Sequence, residues 1–156
     1  MMWDVEIEDC ARRLNLPVGL IHAIVQVESS GNPWAIRFEP AFKKLYLDGK
    51  AWKVFGPISH DTEVMARATS WGLMQVMGQV ARERGYEGCY LSELCKPATG
   101  LEYGCRQLKH FEQRYYDAHG WSGVIAAYNA GSPRRDVAGE FVNQTYVNKI
   151  RTFWGE

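Results

Sequence analysis

The stretch PATGLEYGCRQLKHFEQRYYDAHG, residues 97–120, limits the possible folds most. Leu101, Cys105, Leu108, Phe111 and Tyr115 recur three or four residues apart, so a helix places them on one face. A helix this long cannot leave its apolar stripe in water, so other helices must cover it. The rest of the chain supplies them. DVEIEDCARRL reads as a first helix, and Leu20 to Glu28 as a second, entered through Pro17 and broken by SSGNP. PAFKKLYL reads as a short helix, and DTEVMARA as another that opens on a capping pattern. WGLMQVMGQVARERG reads as a helix closed by Gly85, WSGVIAAYNAG as a short apolar helix, and EFVNQTYVNKIRTFWG as the last. DGKAWKVFGPISHD reads as a loop or small hairpin. The expected fold is mainly α, one globular domain over residues 1–156, with a minimal β element between Trp34 and Ser70.

Composition excludes some functions. The 18 basic and 18 acidic residues balance, which gives no support to a nucleic-acid partner. Cys10, Cys89, Cys95 and Cys105 form no C-x-x-C pair, and His22, His60, His110 and His119 are scattered, so zinc spacing is absent. Reduced, mostly buried thiols are expected, with no metal and no organic cofactor. No run is apolar enough to span a membrane, and MMWDVEIEDC lacks a signal-peptide pattern.

Four places carry possible chemistry. Glu28 continues the apolar stripe of Ile21, Ile24 and Val25. It either ends the helix as a cap or surface ion pair, or it is a poorly solvated acid that holds its proton near neutral pH. Gln75 lies between Met74, Val76 and Met77 in SWGLMQV, where it is either exposed on a packed helix or a reader of sugar hydroxyl and acetamido groups. Tyr128 and Asn129 sit among small residues in AAYNAGSP, which suits a tight helix crossing with a glycine cap or room for a ligand. Tyr146 in TYVNKI is either a core residue or a cleft wall.

The order of these features resembles one family. ESSGNPWA, GLMQV, AAYNAG and TYV, from about Leu16 to Ile150, resemble the motifs of lytic transglycosylases built on the soluble-lytic-transglycosylase (SLT) domain, which has a lysozyme-like fold. RFEP and ISHDTEVMARATSWGLMQV further resemble bacteriophage and prophage versions. The resemblance implies a peptidoglycan glycan strand as partner, a monomer, and Glu28 as the sole catalytic acid and base. It implies that Met74 and Gln75 line the glycan cleft and that Tyr128 and Asn129 sit beside Glu28. Tyr146 would close the site, and Ser29 would follow Glu28 as in the family. Two departures qualify this. VNQTYV carries Asn143 and Gln144 where the family usually has an acid. The segment from Trp34 to Ser70 is long and supplies Glu39 and Asp61, either of which could position a water and make the enzyme a hydrolytic muramidase, as in goose-type lysozymes. A non-catalytic wall-binding module is the remaining alternative. The expected setting is a phage endolysin that accumulates in the host cytoplasm and reaches the wall when a separate factor opens the membrane, or a virion-borne enzyme.

Overall fold

The computed structural model describes residues 2–156. Helix α1, Asp4–Leu14, has Asp4 and Glu6 in its first turn and Arg12 and Arg13 in its last, which complements the helix dipole. Asn15 closes it in the left-handed conformation, and Pro17 leads into α2, Val18–Ser29. Helix α2 buries Leu20, Ile21, Ala23, Ile24 and Val25, so the stripe that ends at Glu28 is core. Ser30 and Gly31 then take positive φ, and the Asn32 side chain accepts from the Trp34 amide at 3.0 Å, turning the chain away.

A small antiparallel sheet follows, with strands β1, Ile36–Phe38, β2, Thr69–Trp71, and β3, Val76–Met77, in the order β1-β2-β3. Ile36 lies opposite Trp71 and Phe38 opposite Thr69; Ser70 lies opposite Met77. Between β1 and β2 come α3, Pro40–Phe42, its widened continuation Lys43–Leu47, and α4, His60–Arg67. Ser59 caps α4 by accepting from the Thr62 amide at 3.0 Å. After β3 come α5, Gly78–Glu83, a 3-10 turn Leu91–Cys95, α6, Pro97–Ala130, and α7, Gln144–Trp154. Helix α6 is interrupted at Gly120 (φ 64°, ψ −169°), so the helices expected before and after that glycine are both present.

The principal core joins α1, α2, α6 and α7: Ile7, Leu20, Ile24, Leu101, Leu108, Ile125 and Ile150 are all fully buried in it. The arrangement is a mainly helical single domain with one three-stranded sheet, consistent with the lysozyme-like fold expected.

Three expectations need correction. WGLMQVM is not the start of a helix. Gly72 (φ 72°) and Gln75 (φ 48°) turn the chain in a hairpin between β2 and β3, and helix begins only at Gly78. A Cβ on Gly72 would stand 2.5 Å from the Leu94 carbonyl oxygen, so the glycine serves both the turn and a close backbone approach. The last helix starts at Gln144 rather than Glu140, because Phe141 pairs with Arg135 in an isolated bridge. The β element runs past the expected Trp34–Ser70 limits, to β3 at Val76–Met77, while DGKAWKVFGPISHD holds no strand and so takes the loop form of its two expected ones.

That irregular segment is fastened by a buried ionic cluster. Glu63 is fully buried, with Arg82 Nη2 at 2.8 Å and Arg67 Nε at 3.5 Å. Arg67 also donates to the Lys53 carbonyl at 2.9 Å and to Gln79 Oε1 at 3.0 Å. Arg82 donates to the carbonyls of Tyr86 and Gly88 and lies over the Phe55 ring, 4.0 Å from its centroid. One buried carboxylate thus compensates two guanidinium groups that hold two loops.

Candidate active site

Glu28 lies in the last turn of α2, where helix carbonyls end and a negative charge is disfavoured. Burial is the main influence on its carboxyl and pushes the pKa up; the Tyr146 hydrogen bond and the charge of Lys149 pull the other way without cancelling it. Tyr146, on α7, donates its hydroxyl to Glu28 Oε1 at 2.7 Å. Burial and the adjacent Glu28 charge raise the Tyr146 pKa far above its usual value, so the phenol remains a donor at any working pH. With Oε1 accepting that bond, Oε2 is the oxygen left to carry and release a proton.

Tyr128, near the end of α6, is likewise held neutral, chiefly by burial. Its hydroxyl donates to the Met74 carbonyl at 2.7 Å, tying α6 to the hairpin. Asn129 is exposed at the cleft edge, and its Oδ1 accepts from Asn143 Nδ2 at 2.9 Å; the same nitrogen donates to the Ala126 carbonyl at 3.0 Å. Gly131 (φ 85°) ends the helix there.

Gln75 spends its amide donors on the carbonyls of Ala35 (2.8 Å) and Gly72 (3.0 Å). It clamps the hairpin to the turn after α2 and leaves its oxygen as the group that can accept from a ligand.

These elements enclose a cleft of about 550 Å³, lined by Glu28, Gln75, Tyr128 and Asn129 together with Arg37, Glu39, Phe42 and Tyr46. Sugar-sized ligands fit a cleft of that size. Tyr146 meets Glu28 from behind rather than lining the cleft.

Three candidate residues lie elsewhere. The Met74 side chain is fully buried and packs against α6. A Cβ on Gly104 would stand 2.6 Å from its sulfur, and the Cys105 thiol approaches that sulfur at 3.7 Å. Ser29 points inward, its one hydroxyl proton shared between the carbonyls of Leu73 (2.8 Å) and Val25 (3.1 Å), and anchors the hairpin behind Glu28. Asp61 is exposed at the start of α4 and faces a separate depression with Lys43, Asp48 and His60. Of the two extra carboxylates only Glu39 shares the cleft, where Arg37 Nε lies 3.0 Å from its Oε1.

Arg37, Phe42 and Tyr46 were not singled out from the sequence. The signal for Arg37 is the alternation in AIRFE: β1 turns Arg37 and Glu39 to the cleft, and Ile36 and Phe38 do not line it. Cys10, Cys95 and Cys105 are buried and Cys89 is exposed. Among the described residues no group of His, Cys, Asp and Glu has the geometry of a metal site, and no helix is long and apolar enough to cross a membrane.

Among known families, the one described as "Transglycosylase SLT domain" matches residues 6–145. No curated protein and no solved structure matches the chain.

Proposed function

We infer the reaction from one premise: the chain belongs to the transglycosylase SLT domain family, which makes it a lytic transglycosylase acting on peptidoglycan. We propose that it cleaves the β-1,4 bond between N-acetylmuramic acid and N-acetylglucosamine and releases a 1,6-anhydro-muramic product. Neutral Glu28 protonates the bridging oxygen as the C1–O bond breaks. The substrate's own acetamido oxygen bonds to C1, giving an oxazolinium-like intermediate, so no protein nucleophile is needed. Glu28, now a carboxylate, takes the proton from the C6 hydroxyl, whose oxygen attacks C1, reopens the acetamide and closes the anhydro ring. The proton account balances on one carboxyl, and no water is consumed.

The observation that carries this reading is the Glu28 carboxyl, its pKa raised by burial, hydrogen-bonded by Tyr146 and facing a sugar-sized cleft. Most glycosidases need two carboxylates; an acid that recovers its own proton from the substrate needs no second one. A hydrolytic reading draws on Glu39, which lines the same cleft and has Arg37 Nε 3.0 Å from its Oε1. Digestion of purified peptidoglycan followed by mass spectrometry tests the choice. Muropeptides lighter by one water than reducing-end forms support the transglycosylase. Reducing-end products support hydrolysis and point to Glu39.

The biological setting we propose is host lysis by a phage endolysin that moves from the cytoplasm to the wall after a separate factor opens the membrane. Support for this comes from the phage-like stretch between RFEP and GLMQV. Lysis on co-expression with a membrane-permeabilising protein, and none without it, is the expected result.

A further inference from the structure

The charged groups that line the cleft are Glu28, Glu39 and Arg37. Arg37, with Glu39 as its neighbour in the cleft, is the cation among them. Its side chain is 76% exposed, and its one ion pair uses Nε. Neither terminal nitrogen bonds another described residue, so the outer edge of the guanidinium is free to take a carboxylate through two parallel N–H bonds. The position is fixed by the fold: Arg37 is the middle residue of β1, paired in register with Ser70, which lines the same cleft. The Glu39 contact lies on the Nε side, which leaves the two terminal nitrogens for a ligand.

The sugar backbone of peptidoglycan has no charge where each muramic acid is amide-linked to a peptide. Carboxylates then belong to the stem peptides, or to the lactyl groups of strands that have lost them. We propose that Arg37 is a specificity-determining residue that binds a substrate carboxylate at the cleft. This rests on the peptidoglycan reading above, and it adds that the enzyme discriminates among strands by their acidic substituents.

The test measures binding of Glu28→Gln protein, with and without Arg37→Gln, to three preparations of soluble strands. One bears peptides, one bears peptides with their carboxylates converted to amides, and one has its peptides removed by an amidase. Arg37 is exposed, so its replacement leaves the core untouched. The expected result is about fivefold weaker binding for Arg37→Gln on carboxylate-bearing strands, the order of one partly solvated ion pair. No difference is expected on amidated strands, and the gap should narrow at high salt. A gap on peptide-bearing strands alone assigns the stem carboxylate; a gap on stripped strands alone assigns the lactyl carboxylate. No gap on any strand, or a gap that survives amidation, overturns the proposal. Parallel turnover assays with Glu28 intact keep the two readings apart. A proposal that holds shows Arg37→Gln acting on KM rather than kcat. Failure of the parent protein to cleave any strand counts against the enzyme reading, while the binding series still decides the role of Arg37.

Discussion

Tyr146→Phe removes a single oxygen and with it the 2.7 Å bond to Glu28 Oε1. The phenol is a neutral donor, so it stabilises the carboxylate form of Glu28 more than the acid form and lowers the Glu28 pKa. Its loss therefore raises that pKa further above 4.5. A hydrogen bond to a charged group contributes about 1.5–3 kcal/mol. If that stabilisation is felt when Glu28 becomes a carboxylate in the transition state, kcat falls about 10- to 150-fold. The pH profile gives a second, independent sign. Glu28 must start protonated, so kcat/KM declines as pH rises through its pKa, and in Tyr146→Phe that alkaline limb moves to higher pH. The assay is turnover of soluble glycan strands across pH, with thermal melting to confirm that the nearly isosteric variant is folded. An unmoved limb, or one displaced to lower pH, refutes the reasoning even if activity drops.

Glu28→Gln abolishes turnover to the limit of detection and raises stability at neutral pH by about 1 kcal/mol, or about 2–4 °C in Tm for a chain of this size. The sign follows from the raised pKa: the favourable protonated form is fully present below 4.5 and is lost as pH rises through the folded value, so the advantage of Gln grows over that window. Melting curves at several pH values check it. Gly72→Ala meets the Leu94 carbonyl and a left-handed φ, and costs about 2 kcal/mol or more in denaturant unfolding, with activity falling because the hairpin carries Gln75. Glu63→Ala leaves Arg67 and Arg82 buried without a counter-charge and costs about 3–5 kcal/mol, read as a large drop in Tm, although Glu63 is remote from the chemistry.

Long periodic segments could be read from the sequence because periodicity averages over many residues. Helices α1, α2 and α6 fall where the apolar stripes predicted them, and Glu28 was recognisable as the polar end of a core stripe. The hairpin was misread because its strands are three and two residues long, too short for a period of two to register. Leu73, Met74 and Val76 around it also look amphipathic. What decided the matter was backbone conformation at Gly72 and Gln75, together with a contact to Leu94, a residue far along the chain. The Glu63 cluster was hidden for a related reason. Glu63 and Arg67 have the spacing of an ordinary surface pair on a helix, and only the folded-over segment with Trp52, Lys53 and Phe55 puts them inside. In the site itself, residue types were readable but directions were not. Ser29 and the Met74 side chain turn to the interior, and Asp61 faces another depression.

A general acid at Glu28 requires that the fold keep its carboxyl protonated beyond the ordinary carboxylate range. Titration by NMR of protein labelled with carbon-13 at the glutamate carboxyls measures this directly, with the Glu28 signal identified as the one missing from Glu28→Gln. The expected Glu28 midpoint lies clearly above 4.5 and coincides with the alkaline limb of kcat/KM in the free enzyme. A midpoint at or below 4.5 would contradict that role, since Glu28 would then be a carboxylate at working pH with no proton to give.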